Sequence, residues 1–409
     1  MPQSAARRGR FGGARTPPHL ATLVILAGTS VMSMNIFLPV LPALARDLGV
    51  GTGTAQYVLT LFLATTALVQ LIVGPLSDRF GRRPVLLGTA LTFLGATLLC
   101  VLASSIELLL IGRVLQASTA ASMALSRAII RDLYDRTKAA SMIGYVTMAM
   151  SLLPMMTPTV GGVVGEVFGW RATFVVLLFV GIGVLALVWF DLGETHRPAS
   201  GSASKQVQDT AELLRVARIW GYFGSATLSS GAYFSFLGGA PFVGEQVLGL
   251  TPTVLGMWFA LVAIGYMIGN FLSGRYPQRF GIENMMLAGS VVAASGAALT
   301  LWLMATFPPH ASFLFGPMAF VGLGNGMTLP NAAAGAVSVR PDLAGSASGV
   351  GGFLQIGGGA ALATVAGALI TDANQGMPLY WLMAIVSVAG ALVAWWMKRL
   401  PLLEGEARD

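Results

Sequence analysis

The sequence predicts an all-α polytopic membrane protein, with twelve transmembrane helices in two six-helix halves. Three observations carry that expectation. Hydrophobic residues make up 55% of the 409 positions and charged residues only 10%, where about 25% charged is usual for a soluble domain. So little charge cannot coat a water-facing surface, and so apolar a chain is the opposite of a disordered one; the mean hydropathy is +0.75. The apolar residues fall into twelve runs long enough to cross a hydrocarbon core of about 30 Å. A polar stretch near the centre, Arg197-Pro198-Ala199-Ser200-Gly201-Ser202-Ala203-Ser204-Lys205, separates six runs from six.

The runs cover residues 20–43, 55–76, 84–104, 107–130, 139–164, 171–191, 219–243, 252–273, 285–306, 311–336, 344–371 and 377–397. Only helices and closed barrels satisfy backbone polar groups in lipid. These runs are too long and too evenly apolar for barrel strands, so each is a helix. The first follows Arg7, Arg8, Arg10 and Arg15 and ends near Ala43-Leu44-Ala45, a sequence that imitates a secretion signal. It exceeds the 7–15 residues of a signal core, and eleven more spans follow, so it reads as a span. The Arg7-Arg8 pair is a weak twin-arginine lookalike. The expected organisation is a tail (1–19), a helix bundle (20–191), a linker (192–218), a second bundle (219–397) and a second tail (398–409). Loops this short hold no folded domain.

The net charge of +7 points to membrane topology rather than to nucleic acid. Arginine and lysine concentrate in cytoplasmic loops. Here they cluster in the first tail, at Arg79, Arg82 and Arg83, at Arg127, Arg131, Arg136 and Lys138, and around the linker. Only Arg46 and Arg171 fall on the other side, and Arg113 lies within a span. This skew predicts both termini in the cytoplasm. The single cysteine, Cys100, forms no intrachain disulfide and matches no zinc spacing; His19, His196 and His310 lie outside the apolar runs. A membrane-embedded enzyme needs clustered histidine, cysteine or acid within its spans. None is present, so neither an enzyme nor a metal or cofactor is expected. The glycine-rich stretches 322–326 and 349–359 lack a P-loop lysine and lie in apolar spans, which suits close helix packing.

The loop between spans 2 and 3 reads Gly74-Pro75-Leu76-Ser77-Asp78-Arg79-Phe80-Gly81-Arg82-Arg83. It resembles the major facilitator superfamily signature G-x-L-x-D-R-x-G-R-R at every fixed position. The resemblance implies the major facilitator fold, with Gly74, Asp78, Arg79, Gly81, Arg82 and Arg83 forming a gating cluster that locks the halves together on the inside. A glycine at 74 allows close helix approach, and Gly81 permits a tight turn. The counterpart at Gly274 to Gly281 is degenerate and lacks the acid. In span 4, Gly112-Arg113-Val114-Leu115-Gln116-Ala117 resembles the G-R-x-x-Q-G element of drug:proton antiporters, with Ala117 in place of the last glycine. A charge inside a span is a functional hypothesis by default; the alternative is that Arg113 snorkels to the nearer surface. Gln116 shares its helix face. In span 5, Pro158, Gly161 and Gly162 fit the P-x-x-G-G part of the antiporter motif G-x-x-x-G-P-x-x-G-G, which kinks the helix and lets neighbours pack closely; Leu153 and Thr157 replace its first glycines, and Pro154 lies between them.

Span 1 contains Asn35-Ile36-Phe37-Leu38-Pro39-Val40-Leu41-Pro42. This resembles the D-x-x-L-P-x-L-P stretch of Bcr/CflA-type multidrug exporters, with Asn35 where that family has an acid. Membership would imply efflux of drugs across the bacterial inner membrane in exchange for protons, by alternating access. Asn35 does not titrate, and none of the 17 acids falls near mid-span. Coupling then uses a peripheral acid such as Glu166 or follows another scheme. Asn35 and Arg113 lie at similar depth and could meet across a cavity. The expected substrate cavity comprises Asn35, Arg113, Gln116, Tyr233 and Gln355, and further polar or aromatic wall candidates are Gln70, Asn270, Asn325, Asn331, Phe234 and Phe236. Without a cavity carboxylate and with Arg113 present, substrates would be neutral, zwitterionic or anionic. The expected partners are such a small molecule, protons and the bilayer, without nucleic acid, for a monomer. The alternative function is a sugar or amino-acid exporter or facilitator without strict proton coupling.

Overall fold

Each long apolar run folds as a helix, and the described residues contain no strand. The computed structural model describes residues 18–134, 136–195, 211–340, 343–370 and 376–400. Most of both expected tails, with Arg7, Arg8, Arg10 and Arg15, and the linker core with His196, Arg197 and Lys205 lie outside the described residues. The helices are α1 (Leu20–Asp47), α2 (Thr52–Phe80), α3 (Arg82–Val101), α4 (Ile106–Leu133), α5 (Arg136–Phe168), α6 (Trp170–Phe190), α7 (Ala217–Phe242), α8 (Pro252–Arg275), α9 (Ile282–Thr306), α10 (Ala311–Val339), α11 (Ala344–Leu369) and α12 (Met377–Arg399). Several extend past the apolar runs. Arg82, expected in a loop, opens α3, and α4 continues to Leu133. Hydropathy marks the hydrocarbon stretch, whereas the backbone hydrogen-bond ladder continues into the polar layer on either side.

Ten of the twelve are long and apolar enough to cross a membrane by composition alone; α7 and α10 are not among them. Both are rich in glycine, α7 also in serine, and α10 carries Asn325 and Asn331. Protein surrounds them: nearly all of α7 and most of α10 is buried. A helix enclosed by other helices need not be lipid-soluble on every face.

Consecutive helices alternate in direction, so α1 starts, and α6 and α12 finish, at the end that carries the linker. Tight glycine turns make the reversals. Gly49 and Gly249 share φ of 65° and 63°, and Gly81 and Gly281 share φ of 94° and 79°. Both pairs are offset by the same interval along the chain, so the two halves repeat one backbone plan.

The packing divides unequally along the bundle. At the end away from the linker, one apolar core runs through both halves, from Phe37, Phe62 and Phe174 to Phe236, Phe259 and Phe315. At the linker end the core splits. One cluster, with Leu23, Leu86, Ile129 and Val188, belongs to α1–α6. The other, with Tyr222, Met286, Ala336 and Met397, belongs to α7–α12. The halves are therefore joined at the far end and separated at the linker end.

The end of α6 is tied to the start of α1. Asp191 accepts hydrogen bonds from the Thr22 hydroxyl at 2.5 Å and the His19 amide at 2.9 Å, and its other oxygen lies 2.7 Å from His19 Nδ1. Partial burial pushes the Asp191 carboxyl up, but the bonds from Thr22 and His19 outweigh it and hold it below the usual carboxylate range. A depressed carboxylate stabilises the fold above its unfolded pKa, and that contribution fades as pH falls through the lowered folded value. Asp191→Asn is therefore expected to lower the melting temperature by a constant amount from pH 7 to 5. The gap to wild type should close only below about pH 4. Melting curves in detergent across pH check this; a gap that is already closed at pH 5 contradicts it.

Candidate functional site

Between the separated parts of the two halves lies a cavity of about 440 Å³, within the range of small-molecule sites. Its wall draws on α1, α2, α4 and α5 from one half and on α7, α8, α10 and α11 from the other. It is mostly apolar, with Met34, Phe62, Met150, Tyr233 and Phe234 among the larger side chains. Polar groups are few: Gln70, Arg127, Thr147, Ser230, Tyr266, Asn270, Asn325 and Gln355 carry most of them. No carboxylate lines it among the described residues.

Beyond the cavity, at the far end, the halves close backbone against backbone. A Cβ on Gly162 of α5 would fall 2.3 Å from the carbonyl oxygen of Pro252 on α8, and one on Gly256 of α8 would fall 2.5 Å from the carbonyl oxygen of Pro158 on α5. The Thr159 hydroxyl donates to the Gly256 carbonyl at 3.1 Å. Gly161 performs the same service inside the first half, where it presses on the carbonyl of Ile36 at the break in α1. Polar bridges surround this seam. Gln56 of α2 donates to the Gly238 carbonyl of α7. Arg46 pairs with Glu245 at 2.5 Å, and Glu166 accepts from the Thr253 amide, in the first turn of α8, at 2.9 Å. The residues of the antiporter-type motif thus divide: Pro158 and Gly162 build the seam, Gly161 packs on α1, and Pro154 belongs to the cavity wall.

Arg113 occupies neither the cavity nor the lipid surface. It is 0% exposed and lies between the rings of Phe37 and Phe62, with its guanidinium carbon 4.4 and 4.2 Å from their centroids. Its Nε donates to Val58 O at 2.9 Å; one Nη donates to Ser33 O at 3.0 Å and to Gln116 Oε1 at 2.5 Å. The Ser33 carbonyl is available because the regular helix of α1 stops at Asn35 and gives way to a 3₁₀ turn at Leu38–Val40, so the Phe37 amide that would otherwise bond to it does not. Gln116 passes the network on by donating to Thr97 Oγ1 at 2.8 Å. Phe62 is part of the cavity wall, so the cation sits behind it.

The cluster between α2 and α3 is a compact ionic knot. Arg82 pairs with Asp78 at 2.6 Å and Asp132 at 3.1 Å, and donates to the Ser77 hydroxyl. Glu194, from the start of the linker, accepts the amides of Arg82 and Arg83 at 2.9 and 3.1 Å and so caps α3. Gly81 is required twice: its φ is +94°, and a Cβ there would fall 2.5 Å from Glu194 Oε2. Arg83 reaches the Trp189 carbonyl at 3.0 Å, and Arg79 stacks on Phe80. Gly74, expected at a close helix approach, has open space around it in this conformation.

Of the five residues expected in the cavity, Tyr233 and Gln355 line it. Asn35, Arg113 and Gln116 are buried outside the lining, and Asn35 donates to the Val31 carbonyl of its own helix at 2.8 Å. Asn35 and Arg113 do not meet across a cavity, because α1 breaks beside Asn35 and offers Arg113 a carbonyl instead. Gln70, Asn270, Asn325 and Phe234 line the cavity; Phe236 packs on Phe259 and Phe315 at the far end, and Asn331 donates to Ser273 at 2.6 Å between α10 and α8. Gly322, Gly324 and Gly326 bring α8 and α9 against α10. The sequence reading missed Arg127. Its place near the end of a span made it look like one more loop cation, although it enters the wall.

Such a fold, a bundle of twelve helices around a central cavity open at one end and sealed at the other, is that of a membrane transport protein. The Major Facilitator Superfamily model matches residues 23–361, and the chain belongs to that family. Multidrug resistance protein D of Escherichia coli (strain K12) is 30% identical over 359 residues, 87% of this chain and 90% of the relative. The bicyclomycin resistance protein homolog of Haemophilus influenzae is 28% identical over 92% of this chain and 95% of its own. The chloramphenicol resistance protein of Pseudomonas aeruginosa is 29% identical over 81% and 80%. These relatives agree with the Bcr/CflA-type resemblance that the motifs carry. Among solved structures, a bacterial homolog of the human lysosomal transporter Spinster, in an inward-facing and occupied conformation, has the same fold, with a TM-score of 0.71 at 17% identity over 93% of this chain and 96% of its own.

Two outcomes follow from the geometry. Gly162→Ala and Gly256→Ala place a methyl group where a carbonyl already stands, so each is expected to hold the far end open. Cysteines introduced beside the seam, in a Cys100→Ser background, should label several-fold faster from that side in either variant than in the parent; equal labelling contradicts the seam. Arg113→Met strands the Ser33 and Val58 carbonyls and the Gln116 amide oxygen. It should cost about 2–4 kcal/mol, read as a clear drop in melting temperature, with substrate preference unchanged. Unchanged stability with altered preference would place Arg113 on the substrate path.

Proposed function

We propose that this protein is a secondary active exporter of drugs or other small amphipathic molecules, working by alternating access in exchange for protons. The observation that carries the reading is the cavity between the halves, open toward the linker and sealed at the opposite end by the α5–α8 seam. Rocking one half against the other would break the seam and close the linker end, presenting the same cavity to the other side. The names of the three relatives, each a resistance protein, support drugs as substrates. An apolar wall with methionine and aromatic side chains accommodates varied shapes.

The location we infer is the bacterial inner membrane, with both termini and the linker in the cytoplasm, because the basic residues crowd that end. The structure then faces inward. The protein acts as a monomer, since each chain contains a whole cavity. Its substrates are neutral, zwitterionic or anionic, since the cavity offers no carboxylate to hold a cation. The gating role belongs to the Asp78–Arg82 knot. Proton coupling falls to an acid at the seal, with Glu166 the candidate, because its bond to the Thr253 amide joins the halves and breaks when the seal opens.

The same lack of a cavity carboxylate favours a second reading, a metabolite exporter or facilitator without strict coupling. Inverted vesicles that hold an acid-inside gradient, read by a quenched dye, separate the two. Drug-dependent recovery of fluorescence, absent from empty vesicles, is expected for antiport and should be lost in Glu166→Gln. Transport of a compound with no proton movement would favour the second reading.

A further inference from the structure

Arg127 is the only charged residue in the cavity wall among the described residues. We propose that it is the docking point for a carboxylate on the transported molecule, so that this cavity selects amphipathic acids. The inference rests on the exporter reading and narrows its substrate class.

The first argument is the state of the guanidinium. The buried arginines elsewhere in the fold are matched, Arg82 with Asp78 and Asp132, Arg218 with Glu283, and Arg113 with backbone carbonyls. Arg127 makes no ion pair or hydrogen bond among the described residues, and its side chain is open to the cavity. A cation in a cleft with low-dielectric walls concentrates anions there. Arg131, one turn nearer the mouth on the same helix, adds to the same field.

The second argument is independent of charge. Gln70, on α2, also lines the cavity, and its Nε2 is buried just behind the wall with no acceptor. An unmet buried donor is costly until a ligand supplies an acceptor. A guanidinium and a nearby amide in one wall, with no carboxylate among the described lining residues, favour an oxyanion over an ammonium. Tyr266 of α8 lies within electrostatic reach of Arg127 from the other half, so a bound carboxylate would contact both halves.

The third argument is the arrangement along the bundle. Arg127 lies six residues from the end of α4 at Leu133, about 9 Å at the helical rise. Tyr233 lies sixteen residues into α7, about 24 Å from the same end. The cation of the wall therefore lies near the mouth, where Tyr222 and Phe223 also line the cavity, and the deeper wall, with Phe62, Tyr233 and Phe234, is aromatic and uncharged. An amphipathic acid fits with its apolar body inward and its carboxylate toward the mouth.

The test is equilibrium binding of dansyl-leucine and its methyl ester to the purified full-length protein in detergent, followed by dansyl fluorescence. The two probes differ by one charge. Wild type should bind the acid at least about tenfold more tightly than the ester, as a charged hydrogen bond allows. Arg127→Gln should bind the acid no better than the ester while keeping the ester affinity, which also reports that the variant is folded. Arg127→Lys should keep most of the preference. Equal affinity of wild type for both probes, absence of acid binding, or a preference that survives in Arg127→Gln would overturn the proposal. If Arg127→Gln does not fold, the wild-type comparison and Arg127→Lys decide. Vesicle transport separates this from the broader reading: an acid that binds through Arg127 but is never moved refutes export and leaves the site, whereas drugs that move with no preference for acids leave export and remove the site.

Discussion

The close approach of α5 to α8 is the contact on which the rest of the structure depends. In lipid, apolar side chains gain little by leaving one hydrocarbon surface for another, so helices associate chiefly through van der Waals contact and hydrogen bonds. The deepest contact is made where side chains are absent. Gly162 and Gly256 each face a carbonyl oxygen of the other half, Pro252 and Pro158 respectively, at a distance that excludes even a methyl group. Because that seam exists at one end, the single core threads both halves there, whereas among the described residues at the linker end the core divides and a cavity opens. A contact built from backbone and small residues is also reversible. It traps no large side chains, and the polar bridges around it, Arg46 to Glu245 and Glu166 to Thr253, lie at its edge.

The two arginines of α4 show two uses of one residue type. Arg113 is consumed by the fold. It is stacked between two rings and bonded to carbonyls that the broken α1 and neighbouring α2 supply. A guanidinium suits this place because it stacks on aromatic faces and donates in a fixed plane at once. Arg127 has no such shell and faces the space where a ligand would enter. The sequence emphasises the wrong one of the pair for the cavity. Arg113 stands out as a charge in an apolar run, whereas Arg127 sits fourteen positions later among other basic residues. Periodicity gives the depth of a charge along its helix. Which neighbour it faces depends on how the helices are rotated against each other, and no local pattern encodes that.

Other parts were readable because their physics is local. Apolar runs of span length fixed the helices, since the backbone in lipid has no other use for them. The Gly81 turn was readable because a positive φ after a helix and before a basic pair restricts the residue type. The P-x-x-G-G element was readable as a packing site, although the identity of its partner, the first turns of α8, was not. Glu194 went unnoticed as the cap of α3 because it is contributed from more than a hundred residues away. Asn35 stood out as a departure from a resemblance, and the structure gives the physical context: a buried side chain bonded within its own helix, next to the break that frees a carbonyl for Arg113.

The two least lipid-soluble helices both belong to the cavity wall. α7 and α10 fall outside the compositional limit for a span, yet both contribute to its wall. The two facts have one cause. Gly322, Gly324 and Gly326 let α10 lie against α8 and α9, while Asn325 on the same stretch accepts from Ser229 of α7 at 2.6 Å. A helix that must touch several neighbours closely and still present polar groups to a water-filled space cannot also be uniformly apolar. Low hydropathy in a helix of span length, flanked by spans that are clearly apolar, therefore marks an interior position. By that rule the composition of α7 and α10 places them around the central space, and it does so without any motif.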